Sequence, residues 1–222
     1  MLSDFQNLVN DLVRDDSDTV TPGDVDQAIG LAVSRYSKDR PYIQVEDVSA
    51  EGPHTLTLPT AWVPGFSEIQ ELEFPIGNFP ASYINDSLLY QSPDGEEIRV
   101  ADSLTVGVQV RVNFSVFHTL TDIADTVPLG DREALASYAA AALCDQLSSH
   151  YANSSDSTIQ ADSVDHASKS REWAGRARAL RKRYFDELGV DDRRNAAAGV
   201  VVDLDMQNSQ GGDRLFHKGR WR

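Results

Sequence analysis

The spacing of the apolar residues changes twice along this chain, and this change limits what the chain can fold into. Before about residue 41 and again after about residue 130, apolar side chains recur at helical spacing. Between Tyr42 and His118 the spacing shortens to two residues, with turn residues between the apolar runs. The sequence therefore predicts an α+β fold: a helical core with an inserted antiparallel β subdomain and an extended C-terminal tail.

Two short helices are predicted at the N-terminus. Phe5 lies on the apolar face of the first helix. Thr21 suits the N-cap of the second helix and Pro22 suits its first turn, because a hydroxyl there accepts a backbone N–H and proline has none to leave unpaired. Pro41 prevents the second helix from continuing much beyond Lys38.

The clearest predicted strand is Val106–Phe114, in which apolar residues alternate with Gln109, Arg111 and Asn113. One face of such a strand is buried and the other is wet, as in many antiparallel sheets. Pro93-Asp94-Gly95 is a hairpin turn signal. The other predicted strands are Tyr42–Val48, Thr55–Leu58, Glu68–Phe74, Ser87–Gln91 and Glu97–Val100.

A pair of long helices is predicted after the strands. The first runs from about Arg132 to Tyr151, after Asp131 as its cap. The second runs from about Gln160 to Leu188. The predicted organisation is 1–41 for the N-terminal helices of the core, 42–118 for the β subdomain, 119–189 for the long helix pair, and 190–222 for an extended C-terminal arm.

The charge of the chain is unevenly distributed. The net charge is −15, but residues 1–168 hold 27 acidic and 7 basic residues, whereas residues 169–222 hold 8 acidic and 13 basic. An acidic body repels nucleic acid. The asymmetry favours head-to-tail contact between copies, or a basic tail that reaches an acidic partner. An acidic soluble protein with an ordinary charged helix is the alternative interpretation.

The sequence contains no phosphate-binding glycine loop, no GxSxG motif and no HExxH motif. Cys144 is the only cysteine, so an intrachain disulfide is excluded and a reducing cytoplasm fits; among alanines it is predicted to be buried and not nucleophilic. His150 and His166, with Asp156 or Asp162, are a weak metal-site candidate, and solvated helix-end histidines are the favoured interpretation. We predict a protein that is not an enzyme, without cofactor or metal, and expect neither a signal peptide nor a membrane span.

Basic residues concentrate in the second long helix and in the tail. Those of the helix lie around its sides, so DNA phosphates and the carboxylates of a neighbouring subunit are both candidate partners, and the acidic body favours the carboxylates. The tail has aromatic residues among cations, which is typical of an interface peptide; a frayed terminus is the alternative. We predict subunit contacts by Arg176, Arg178, Arg181 and Arg183, and docking of the arm through Phe216, Lys218, Arg220 and Trp221.

Two stretches carry a resemblance to a known family. Residues Asp24–Pro41 read DVDQAIGLAVSRYSKDRP, and residues 133–188 contain an AAxLC-type alanine run, an STIxADSVDH turn and an RARxLRKRYFDEL ending. In these stretches, about a third of the chain, and in the order of its elements, the chain resembles the head-to-tail connector (adaptor) proteins of tailed bacteriophages. Members of that family often have a tyrosine and an RP-like break in their opening helix. The β insertion here is longer than in the smallest members.

The resemblance implies a structural protein of the virion neck, assembled in the cytoplasm of the host bacterium. Copies would form a ring, typically a dodecamer, under the portal of the head, with DNA passing through the channel without specific binding. The C-terminal arm would reach onto the portal, and the other face of the ring would meet a stopper or tail-terminator protein. A stopper or tail-completion protein of the same neck is the alternative, and a DNA-binding regulator that uses residues 171–183 is a further one.

Overall fold

The computed structural model describes residues 1–15, 19–93, 95–153 and 166–190. Residues Met1–Gly189 form one compact unit. Within the described residues there are four α-helices and one six-stranded antiparallel sheet, so the predicted α+β class is confirmed. The helices are α1 (Leu2–Val13), α2 (Pro22–Asp39), α3 (Arg132–Asn153) and α4 (His166–Leu188), and the strands are β1 (Tyr42–Gly52), β2 (Thr55–Leu56), β3 (Ile69–Glu73), β4 (Ser87–Ser92), β5 (Gly95–Val100) and β6 (Gln109–Val116).

The N-terminus of α2 is capped by Thr21, as predicted, and the structure adds a reciprocal hydrogen bond from Thr21 to Asp24. Asp24 donates its backbone N–H to the Thr21 hydroxyl (3.3 Å), and Thr21 donates its backbone N–H to the Asp24 carboxylate (2.9 Å). Hydrogen bonds from Thr21 lower the pKa of Asp24. The helix ends at Asp39, because Arg40 leaves the helical conformation before Pro41.

The helical core is built around α3, which packs against α1, α2 and α4. Ala139, Ala140 and Ala141 of α3 are fully buried, so the predicted alanine run does allow close helix packing. Tyr184 of α4 is also buried, with its ring centroid 4.8 Å from that of Tyr138. None of the described helices combines the length and the apolar character that a membrane span requires.

The sheet has the strand order β3-β6-β1-β2-β5-β4. β1 belongs to both halves of the sheet: Tyr42–Ser49 pairs with β6, and beyond a bulge near Ala50 the strand pairs with β2. Such a bulge bends its strand, which lets the sheet curl around its apolar face. That face buries Val48, Ala50, Leu56, Trp62, Leu72, Ile84, Ile98, Val100, Leu104, Val110, Val112, Phe114 and Val116.

The strand predicted at Val106–Phe114 begins later and ends later than its alternation indicates, at Gln109–Val116. Gly107 has a φ of +85°, and Val108 donates its N–H to the carbonyl of Thr105 (3.1 Å), so this stretch is a turn. Val106 is accordingly 65 % exposed. The alternation of valines runs on through the turn, which is why the predicted start of the strand is wrong.

The sheet and the helices meet at a polar cluster that we call the joint: Tyr36, Arg40, His118 and Asp131. The Asp131 carboxylate accepts hydrogen bonds from the Tyr36 hydroxyl (2.5 Å) and the Arg40 guanidinium (2.9 Å). Arg40 also donates to the carbonyl of Leu188, at the end of α4 (2.7 Å). Asp131 directly precedes α3, at the position predicted for the N-cap of that helix. Its carboxylate bonds instead to α2 and to Arg40.

The Tyr36 hydroxyl remains a donor in the joint. Burial, and then the hydrogen bond with Asp131, raise the pKa of Tyr36.

His118 is buried in the joint, just after β6. Its backbone N–H donates to the Ser37 hydroxyl (2.9 Å), and its Nε2 lies 3.0 Å from the carbonyl oxygen of Arg40. The other ring nitrogen, Nδ1, lies 3.1 Å from the carbonyl oxygen of Thr126 and 3.0 Å from its hydroxyl, so each ring nitrogen is within hydrogen-bond distance of a backbone carbonyl. Burial lowers the pKa of His118, against the raising effect of these neighbours and of the Asp131 and Asp125 carboxylates.

The depressed pKa of His118 predicts a pH-dependent contribution to stability. The unfolded chain takes up the histidine proton more readily than the folded one, so the free energy of unfolding should fall as pH decreases below about 6.5. His118→Gln should remove this part of the slope, measured by urea denaturation at pH 7.5 and pH 5.5. His150→Gln, at an exposed position of α3, should keep the wild-type slope. An unchanged slope in His118→Gln would contradict the assignment.

Candidate functional site

The α4 helix separates a buried face from a basic one. Ala177 and Tyr184 are buried against the helical core. Arg171, Arg178 and Lys182 are exposed along one side of the helix, because steps of seven and four residues return to the same side of a helix. We call these three residues the basic stripe.

The four arginines predicted to contact neighbouring subunits differ in what they bind within the chain. Among the described residues, Arg178 donates only to the carbonyl of Ala174 in its own helix (3.3 Å), and it remains exposed. The other three reach other elements. Arg176 donates to the carbonyl of Leu12 at the end of α1, Arg181 pairs with Asp145 of α3, and Arg183 pairs with Glu133 of α3 and with Glu187.

Contact with a neighbouring subunit stays a prediction for all four arginines. Arg176 bonds to α1, and Arg181 and Arg183 pair with α3. Of the four side chains, Arg178 is therefore the most available to another molecule. Arg171 and Lys182, which have no ion pair within the described part of the chain, share its face and were not among the predicted contacts. Their spacing from Arg178 is the sequence signal that places them there.

The far end of the sheet carries the opposite charge. Residues 42–118 contain 11 acidic and 2 basic residues. β1 starts beside the joint and ends at Gly52, so the exposed Glu51 is at the remote end of the sheet. The exposed residues Asp86 and Asp102 are at the same end, because Ala101 donates its N–H to the Asp86 carbonyl (3.0 Å) next to the end of β5. We call Glu51, Asp86 and Asp102 the acidic tip.

The two basic residues of the sheet do not offset the acidic tip. Arg111 lies in the middle of the outer face, where it pairs with Asp47 (2.8 Å) and Glu73 (3.5 Å). The hydrogen bond from Arg111 lowers the pKa of Asp47. Arg99 pairs with Glu97 and lies over the ring of Tyr90, 3.6 Å from its centroid. The exposed carboxylates of the tip therefore remain available to a cationic surface.

Cys144 and His150 are the described residues that the sequence singled out for nucleophilic or metal chemistry. Cys144 is fully buried, as predicted, and burial raises its pKa to about 11. No group of three His, Cys, Asp or Glu side chains in the described residues is placed to hold a metal ion. His150 is exposed and its ring contacts Tyr151 edge-on. Asp156, Asp162 and the side chain of His166 lie outside the described residues.

The predicted docking residues of the C-terminal arm, Phe216, Lys218, Arg220 and Trp221, also lie outside the described residues. No protein-family model matches this chain, and no curated protein matches it. The candidate functional site is therefore defined by geometry and charge alone: a basic stripe on the helical core and an acidic tip on the sheet.

The free energy of unfolding should distinguish an arginine that bonds to another helix from one that is exposed. Arg176→Gln loses a charged hydrogen bond to α1 and a stacking contact with Trp173, 5.4 Å from the guanidinium to the ring centroid, and should lower the free energy of unfolding by about 1 kcal/mol. Arg178→Gln, an exposed match on the same helix, should change it by less than about 0.5 kcal/mol. Urea denaturation of both variants measures the difference. If both variants lower the free energy of unfolding equally, the Arg176 contact does not stabilise the fold more than Arg178 does.

Proposed function

We propose that this protein is a structural adaptor in the neck of a tailed bacteriophage. Copies of it form a ring, typically a dodecamer, beneath the portal, and the ring joins the head to the tail around the channel through which DNA leaves. The observation that carries this proposal is the separation of opposite charges on one compact unit, with the basic stripe on the helical core and the acidic tip on the sheet.

The separation follows from how the sheet is attached. β1 runs from Tyr42 to Gly52, so its length of about 33 Å, at about 3.3 Å per residue, stands between the joint and the acidic tip. Among the described elements, no strand packs extensively along a helix, so the tip is not folded back onto α4. Within one copy the basic stripe and the acidic tip therefore do not contact each other, and neither neutralises the charge of the other.

Pairing between copies removes both excess charges. The basic stripe of one copy meets the acidic tip of the next, and charge-assisted contacts between arginine or lysine and carboxylates stabilise the pair. This contact joins two different surfaces, so it repeats from copy to copy and closes into a ring when the rotation per copy allows it. The acidic body that remains exposed disfavours adhesion of passing DNA.

The alternative within the same neck is a stopper or tail-completion protein. A stopper is expected to consist mostly of β structure, whereas more of the described residues here are in helices than in strands. The helix content therefore favours the adaptor. On this proposal the protein resides in the virion, between the portal and a stopper or tail-terminator protein.

Charge reversal of the basic stripe tests the ring contact. Arg178→Glu/Lys182→Glu should leave the protein folded and abolish the ring, so that no species larger than a dimer remains, because like charges then face each other. Arg14→Glu/Lys38→Glu makes the same change in net charge at exposed cations of the α1 C-cap and of α2, and should assemble normally. Light scattering after size-exclusion chromatography measures the mass.

The decisive variant combines both reversals. Adding Glu51→Lys and Asp102→Lys to Arg178→Glu/Lys182→Glu swaps the two charged surfaces and should restore assembly, more weakly at high salt. Restoration separates a lost contact from a damaged fold. If the combined variant forms nothing larger than a dimer while circular dichroism reports native structure, the stripe does not bind the tip.

The C-terminal arm is tested by truncation. Removal of residues 208–222 should leave the free energy of unfolding of the described fold unchanged and abolish binding to the portal, because the arm carries Phe216, Lys218, Arg220 and Trp221. Pull-down with purified portal rings measures binding. Retained portal binding after truncation would refute the role of the arm.

A further inference from the structure

β4 is an open edge of the sheet. Strand β3, at the other edge, is covered: Ile84 donates its N–H to the Leu72 carbonyl (2.8 Å), and Phe74 donates its N–H to the Ser82 carbonyl (2.9 Å). β4 pairs with β5 on one side only, and no other described segment pairs with its far side. Such an edge presents a row of backbone groups to which another strand can add.

The register identifies the outward backbone groups. Val100 donates its N–H to the carbonyl of His54 (3.0 Å), toward β2, so the opposed pair Ser87 and Val100 does not exchange hydrogen bonds. In an antiparallel ladder bonded and non-bonded pairs alternate. The pairing of β4 with β5 has no bulge. It follows that Ser87, Leu89 and Gln91 direct their N–H and C=O groups away from β5, toward the open edge.

The side chains of β4 are apolar where edge strands usually carry charge. Leu88 is 54 % exposed, Leu89 is 42 % exposed and Tyr90 is 38 % exposed. Every other strand longer than two residues contains charged residues, and β4 contains none. An exposed apolar edge without charge or proline lacks the usual protection against pairing with another chain.

We propose that the β4 edge is a self-association site, at which β4 of one copy pairs antiparallel with β4 of a second copy about a two-fold axis. The axis passes through Leu89, which faces Leu89 of the second copy as a hydrogen-bonded pair. Ser87 then pairs with Gln91 of the second copy, which uses all the outward backbone groups of this stretch. On the outer face Leu88 packs on Tyr90 of the second copy, and this occurs twice by symmetry.

A second copy fits this edge better than other occupants for two reasons. The strand is self-complementary, since the register with Leu89 opposite Leu89 keeps side chains on matching faces and pairs the outward backbone groups of Ser87, Leu89 and Gln91. Extension of the sheet from β4 to β3 of another copy is blocked, because residues 82–84 cover β3. The contact is short compared with the roughly 1,200 Å² of a stable interface, so association should depend on protein concentration.

This contact is symmetric and uses a surface other than the basic stripe, so it does not rest on the proposed function. Its test is made in full-length Arg178→Glu/Lys182→Glu, in which the stripe contact is removed. Sedimentation equilibrium should give a monomer–dimer equilibrium for this parent protein. Leu89→Lys and Leu89→Glu, each added to the parent, should weaken dimerisation at least tenfold, because like charges then lie directly opposite each other.

The two variants provide the decisive comparison when they are mixed. A lysine and a glutamate at position 89 face each other only across a two-fold axis, so the equimolar mixture should regain dimerisation as a heterodimer. Leu31→Lys, at an exposed leucine of α2 remote from the sheet edge, should dimerise like the parent. A monomeric parent at all concentrations, undiminished dimerisation of Leu89→Lys, or a mixture that stays monomeric while both variants are folded would each overturn the proposal.

Discussion

The Asp131 carboxylate is the contact on which the arrangement of the whole unit depends. It accepts the Tyr36 hydroxyl from α2 and the Arg40 guanidinium from the residue that leads into β1, and it directly precedes α3. Arg40 also connects this cluster to the end of α4, because its guanidinium donates to the Leu188 carbonyl. Removing one partner would leave a largely buried polar group without its bond, which costs more than the bond itself contributes. The direction in which the sheet leaves the helices is therefore set by a few charge-assisted hydrogen bonds, supplemented by His118.

This attachment determines what the charges can do. Because the sheet meets the helices at the joint and does not lie along them, the acidic tip is carried away from α4. An isolated copy holds a cationic helix face and an anionic sheet end, and on our proposal contact between copies neutralises both. The proposed β4 pairing is a second, uncharged contact of a different symmetry. Both proposals describe a chain that associates with its own copies, as the proposed neck adaptor requires.

Local patterns predicted local structure well. The N-cap at Thr21 and the turn at Pro93 are set by residues within a few positions, so they could be predicted directly from the sequence. The start of β6 could not, because alternation alone does not distinguish a strand from the turn at Gly107. The partners of the arginines in α4 also could not be predicted from the sequence. Whether Arg181 faces solvent or Asp145 depends on how α4 packs on α3, and the order of strands depends on pairs far apart in the chain. Helical spacing alone places the three residues of the basic stripe on one side of α4. The structure was needed to show that this side is exposed.

We propose that copies of this chain associate head to tail through opposite charges. Native mass measurement of the purified chain, alone and with portal rings, reports on this association without intermediate steps. We expect a closed ring of defined mass at about 0.05 M salt that dissociates toward about 1 M salt as the charges are screened. If no species larger than a dimer forms under any of these conditions, with or without the portal, the copies do not associate head to tail.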